Sequence, residues 1–249
     1  MIVSVCSFPE FLYCTTMSAG SVSSGNHASS FEAFFEAWLV RQAHYLDELL
    51  HVQLNLHESS EHDLNDLVSR VLAHYQQYYA EKSIDCHRDV FVHFSRTCFS
   101  SFEQSFFWIA GFKPGLAFRL VADSVGDLSE EQNRKIGVLR EETRAAERAL
   151  AEELARVQES VAAPPLLKAA RQAERGGRMG QAEEMVGSVR VAMERVVGRA
   201  DALRMRTTAR VVEILTAAQN VRFLAAATQL QTKIRAWGLE KDGERGRNR

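Results

Sequence analysis

Apolar residues return every three or four positions along most of this chain, the spacing that lines one face of an α-helix. Phe31, Phe34, Phe35, Trp38, Tyr45, Leu46, Leu49 and Leu50 share such a face. Ser29-x-x-Glu32 supplies a capping box at its start. Residues 54–62, rich in Asn, Ser, His and Glu, read as a loop. A second stripe follows at Leu64, Leu67, Val68, Val71, Leu72, Tyr75, Tyr78 and Tyr79, and a shorter helix is predicted over Ile84 to Phe94. Ser100-x-x-Glu103 opens an aromatic helix carrying Phe102, Phe106, Phe107 and Trp108, which Gly111 to Pro114 stops. Leu116 to Asp123 forms one more short element.

Ser129-x-x-Gln132 opens the longest regular segment. Ile136, Leu139, Thr143, Ala146, Leu150, Leu154, Val157 and Val161 line its inner face, and Glu131/Lys135 makes a favourable pair on the outer one. Pro164-Pro165 ends it, and residues 166–179, with Gly176-Gly177, carry the weakest order signal inside the domain. Helix resumes near Gly180 and runs on, or bends, before Val211. Thr216-x-x-Gln219 caps the last helix, which presents Val221, Leu224, Thr228, Ile234 and Trp237. The predicted fold is all-α, an antiparallel multi-helix bundle with long helices. A homodimer through the long helices is the alternative use of these stripes, although Thr143 and Ala146 are weak coiled-coil seam residues.

Three regions follow. Residues 1–28 form a small, polar leader expected to be disordered and dispensable, with Met17 as an alternative start; 29–239 are the helical domain; 240–249 are a charged, flexible tail. Hydrophobic residues at 46% and charged residues at 25% are ordinary for a globular protein, and a net charge of −2 argues against a nucleic-acid scaffold. The cysteines Cys6, Cys14, Cys86 and Cys98 show no C-x-x-C spacing and read as free thiols. Neither a signal peptide nor a membrane span is legible, which places the protein in the nucleus or cytoplasm.

Candidate chemistry is sparse. No histidine pair has a metal-ligand spacing, and neither a nucleophile elbow nor a phosphate-binding glycine loop is present. The carboxylates read as solvated helical faces, so no enzyme activity is expected. Phe102, Phe106, Trp108 and Phe112 are either core or the lining of a lipophilic pocket.

Two separated stretches carry a resemblance. Trp108-Ile109-Ala110-Gly111 is followed much later by Asp201-Ala202-Leu203-Arg204 with Thr207, then by Ile214-Leu215-Thr216 with Gln219. This series resembles the plant domain shared by the Delay of Germination seed-dormancy proteins and the C-terminal half of TGA-type bZIP transcription factors. The resemblance implies a non-enzymatic regulator of seed dormancy, germination or maturation within abscisic-acid signalling. It implies type 2C protein phosphatases or TGA-type bZIP factors as partners. Phe34, Phe35 and Trp38 would be the phosphatase-docking residues, with at least one at the rim. TGA relatives also suggest a buried fatty-acid-like ligand, the basis of a sensor reading. Dormancy relatives suggest haem, held by two histidines before the terminal Trp-Gly. Gln231 and Arg235 occupy those positions ahead of Trp237-Gly238, so no haem site is expected there. TGA factors bind DNA through a basic region, whereas residues 1–30 contain no Lys or Arg, so direct nucleic-acid binding is not expected.

Overall fold

The computed structural model describes residues 28–96, 98–161 and 180–247. Among these, every regular element is a helix: α1 Ala28–Leu54, α2 Glu61–Phe94, α3 Ser101–Ser105, α4 Leu116–Ser124, α5 Glu130–Val161, α6 Gly180–Ile214 and α7 Ala217–Arg247. The predicted antiparallel bundle is what forms. α1 runs against both α2 and α7, as the pairs Trp38 with His74 and Phe35 with Arg235 place them. α5 packs antiparallel along α6, where Glu153 meets Arg199 and Thr143 meets Thr207. α7 lies across α1, α2, α3 and α4.

Three predicted caps appear as hydrogen bonds. Ser100 and Glu103 form a complete capping box at α3. At α5, the Gln132 amide N–H donates to Ser129 Oγ at 3.1 Å. At α7, the Gln219 amide N–H donates to Thr216 Oγ1 at 3.3 Å. An unforeseen box, Ser60 with Asp63, opens α2. The predicted cap at Ser29 lies outside the described side chains, and residues 1–27 and 162–179 lie outside the described residues.

Several boundaries differ from expectation. α2 does not break between Tyr79 and Ile84, because Ala80-Glu81-Lys82-Ser83 propagates helix well enough to carry the chain through. The break falls at Asp89 (φ −158°, ψ 99°), whose Oδ1 accepts from the amides of Phe91 and Val92 and so caps the final turn. The aromatic helix ends after α3, leaving Phe106 to Trp108 outside it. α6 is continuous through Val211. α7 continues past residue 239 to Arg247, where Asp242 accepts from both the amide and the hydroxyl of Ser101.

Burial is organised in three clusters. The largest joins α1, α2, α4, α5, α6 and α7 through Leu49, Leu67, Val71, Phe118, Val121, Leu139, Val211 and Leu224. A second packs Cys86 and Val90 against Ile109, Leu150, Val196, Val197 and Leu203. The third is aromatic: Phe31, Phe35, Trp38 and Phe99. The polar junction described next lies where the last two clusters approach the loop after α3.

Candidate functional site: a buried polar junction under the aromatic loop

Beyond α3 the backbone enters the left-handed region at two successive non-glycine residues, Ile109 (φ 43°) and Ala110 (φ 54°). That conformation is costly for a β-branched side chain, so surrounding contacts must impose it. The Trp108 amide N–H donates to the Gly111 carbonyl at 2.6 Å, closing a tight turn. The turn aims its carbonyls inward, and two buried cations receive them.

Arg204 on α6 donates through Nη2 to the Trp108 carbonyl at 2.5 Å and the Ile109 carbonyl at 2.8 Å, and through Nε to the Phe112 carbonyl at 2.6 Å. Its Nη1 donates to Asp201 Oδ1 at 2.5 Å. Lys82 on α2 donates to the same Asp201 oxygen at 2.8 Å and to the Ala110 carbonyl at 2.6 Å. Two cations thus share one carboxylate, and backbone dipoles supply the remaining negative potential. Burial depresses the Lys82 pKa, and the Asp201 charge only partly opposes that. Gly111 is fitted to the site, since a Cβ there would stand 3.1 Å from the Arg204 Cζ.

The same device recurs one turn along the chain. Glu147 on α5 accepts the Gly115 amide N–H at 2.7 Å and faces Lys113 Nζ at 3.4 Å, which pins the entrance to α4. Gln219 ties two helix starts together. Gln132 Nε2 donates to its Oε1 at 2.7 Å, and its own Nε2 donates to the Asp127 carbonyl at 3.1 Å. Thr207 faces Thr143 and Gln219 joins the starts of α5 and α7, whereas Trp108, Asp201 and Arg204, dispersed in sequence, meet in the one junction. Its donors are cations spent on carbonyls, an arrangement suited to holding a loop rather than moving a proton.

The sequence-predicted site residues are distributed differently from expectation. Phe35 and Trp38 are 1% and 0% exposed, so they present no docking surface. Residues 31, 35, 38 and 42 share the inward face of α1; Phe35 packs 5.0 Å from Phe99, and Trp38 stacks 4.5 Å from His74. Phe34 alone of the three reaches the rim, half-buried. Phe102, Phe106, Trp108 and Phe112 do not line one pocket, because the turn after α3 sends them apart. Phe102 and Phe106 pair at 5.0 Å with Phe106 exposed, whereas Trp108 packs beside Leu150 and Val196. Of the four, Phe112 alone borders an apolar cavity of about 180 Å³, with Leu72, Tyr79, Leu116, Met205 and Leu230.

Gln231 and Arg235 are both engaged. Gln231 Oε1 accepts from Gln42 Nε2 at 3.3 Å, and Arg235 Nη1 donates to the Cys98 carbonyl at 2.9 Å while facing Glu103 at 3.2 Å. Cys86 and Cys98 are free thiols, raised by burial to about 12 and about 11. The expectation of solvated carboxylates fails for Asp85, Glu103, Glu147 and Asp201, all buried with cationic or amide partners. Helical periodicity does not reveal this: Asp201 has Arg204 on its own helix and Asp85 has His93, but Lys82, Arg96, Arg235 and the Gly115 amide reach these carboxylates from segments distant in sequence or outside a helix. Among the described residues no three His, Cys, Asp or Glu side chains group as a metal would require, and no helix is long and apolar enough to cross a membrane.

Comparison with known proteins matches this sequence to a family. Residues 46–123 match the family described as "Seed dormancy control". The chain is 35% identical over 231 residues to Protein RESPONSE TO ABA AND SALT 1 of Arabidopsis thaliana, covering 88% of this chain and 97% of that protein. It is 33% identical over 219 residues to Protein ZW2 of the same plant, covering 85% and 97%. A more distant likeness, 28% over 215 residues, reaches Transcription factor TGA2 of Arabidopsis thaliana, of which 64% is covered. The chain belongs to the seed dormancy control family, the Delay of Germination-like proteins related to TGA factors.

Proposed function

We propose that the protein is a non-enzymatic regulator of seed maturation or dormancy within abscisic-acid signalling, acting in the nucleus or cytoplasm by docking onto protein partners. The observation that carries this reading is the junction itself. Arg204 and Gln219, two of the residues on which the resemblance rests, are consumed in holding a loop and two helix starts, which leaves recognition to the surface. The likeness to Protein RESPONSE TO ABA AND SALT 1 of Arabidopsis thaliana supports the hormonal setting.

The partner class is a type 2C protein phosphatase, contacted at the start of α1. There Phe34 sits half-buried between exposed Ala33 and exposed Glu36 and Ala37, so a rim aromatic is available as an anchor. Capture of a purified type 2C phosphatase by the full chain, lost in the double variant Phe34→Ala, Glu36→Lys, is the expected result. Absence of capture by the unaltered chain removes the phosphatase. Likeness to Transcription factor TGA2 supports a second reading, a cofactor that pairs with bZIP factors through the shared domain. Recovery of such factors from seed in place of phosphatases would favour it. The apolar cavity beside Phe112 supports a third, a sensor of a fatty-acid-like ligand, which native mass spectrometry of the purified protein tests directly.

A further inference from the structure

A second cavity, about 190 Å³, opens between the end of α2, α3 and the left-handed turn. Its walls are Phe94, Phe99, Phe107, Ile109 and Ala110, with His93 and Gln104 as the polar contributors. Phe94 and Gln104 are exposed, so the rim reaches the surface. An apolar cavity of about 150 Å³ accommodates benzene, so this one matches a single substituted ring.

His93 is 3% exposed, and its imidazole is oriented from behind. Its Nδ1 lies 2.8 Å from Asp85 Oδ2. Asp85 also accepts from Arg96 Nε at 2.8 Å and from Arg96 Nη2. Burial pushes the Asp85 carboxyl up, but the hydrogen bonds from His93 and Arg96 outweigh it and hold the group ionised. An ionised carboxylate can only accept, so Nδ1 must carry the proton and Nε2 keeps its lone pair. Burial also keeps the imidazole neutral against the pull of Asp85. Phe31 and Phe99 set the ring edge-on at 5.6 and 6.5 Å. Asp85 takes Nδ1, and His93 is among the residues that line the cavity, so Nε2 is the ring nitrogen left to meet a ligand. Nothing in the polar junction or the proposed docking edge requires an oriented, neutral histidine here.

We propose that this cavity is a binding site for a small phenol, its ring held among Phe94, Phe99 and Phe107 and its hydroxyl donating to His93 Nε2. The aromatic walls select a flat ring, and the fixed tautomer selects a donor over an acceptor. Carboxylates and ketones, which need a donor from the protein, are disfavoured at this atom.

The test uses the full-length protein labelled with ¹⁵N-histidine and phenol itself as the probe, with toluene as its isostere lacking the donor. Phenol should move the Nε2 resonance of His93 saturably, and toluene should bind about three- to tenfold more weakly, the factor one net hydrogen bond contributes. His93→Phe should bring phenol down to the affinity of toluene. Observation of the unaltered protein keeps the test decisive if that variant misfolds. An unmoved His93 resonance, equal affinities, or phenol shifts confined to the cavity beside Phe112 would each overturn the proposal.

Discussion

Arg204 donates its Nη2 to the carbonyl of Trp108 at 2.5 Å across 96 residues of sequence, while its guanidinium lies 5.6 Å from the centroid of the Trp108 ring. One side chain thus fixes both the backbone and the indole of the turn. The left-handed conformation of Ile109 and Ala110 is stable because Arg204 and Lys82 together hold four carbonyls of the loop.

Stability should fall as pH drops from about 6.5 toward 4, and His74 should be a cause. Burial lowers its pKa to about 4, with Arg41 adding to the effect. A histidine with a depressed native pKa binds more protons when unfolded, so its contribution is complete above the unfolded value and is lost as pH falls through this window. The contribution is on the order of 3 kcal/mol. His74→Phe keeps a ring stacked on Trp38 and removes the titration, so denaturant midpoints should lose part of their slope across this range. An unchanged slope would assign the acid sensitivity elsewhere.

Gly238→Ala should destabilise the protein by about 1–3 kcal/mol, the usual cost of overpacking. A Cβ there would lie 2.7 Å from Ser100 Cβ and closer still to its Oγ, at the cap of α3. A thermal midpoint equal to that of the parent would show that α7 approaches α3 less closely than described.

Hemin should find no ligand pair on α7. Gln231 is bonded to Gln42, and Arg235 to Glu103 and the Cys98 carbonyl, and neither side chain is an iron ligand. A titration should show no saturable Soret shift that depends on these two positions. A shift abolished by changing both of them would contradict this.

Trp108→Ala should unfold a substantial part of the molecule, costing roughly 3 kcal/mol or more. The indole packs on the cluster of Leu150 and Val196 and under Arg204. Native stability combined with loss of a partner would make Trp108 a recognition residue instead.

Much of the fold was legible because caps and apolar stripes are local signals. Ser100, Ser129 and Thr216 each announce a helix within four residues. The site was less legible for a physical reason. Lys82, Asp201 and Ala110 meet only after three segments fold, and nothing near Lys82 in sequence distinguishes it from a surface lysine. The aromatic run reads as helical as far as Trp108 because it follows a capping box at helical spacing; the donors Lys82 on α2 and Arg204 on α6 hold the carbonyls of the turn instead. Phe35 and Trp38 misled for a related reason. An aromatic-rich α1 can serve an interface or a core, and only the position of α7 decides that Phe35 lies under Arg235.

The most direct test of the central claim, that Arg204, Lys82 and Asp201 lock the turn after α3, is equilibrium denaturation of Arg204→Met. The variant keeps an unbranched stem as far as the position of Nε but removes the guanidinium, so the carbonyls of Trp108, Ile109 and Phe112 and one charge contact of Asp201 lose their donor. Removing one partner from such a buried charged network costs about 3–5 kcal/mol. The expected result is a loss of that size together with increased amide exchange across residues 108–112. Retention of parent stability and of slow exchange in the turn would contradict the claim.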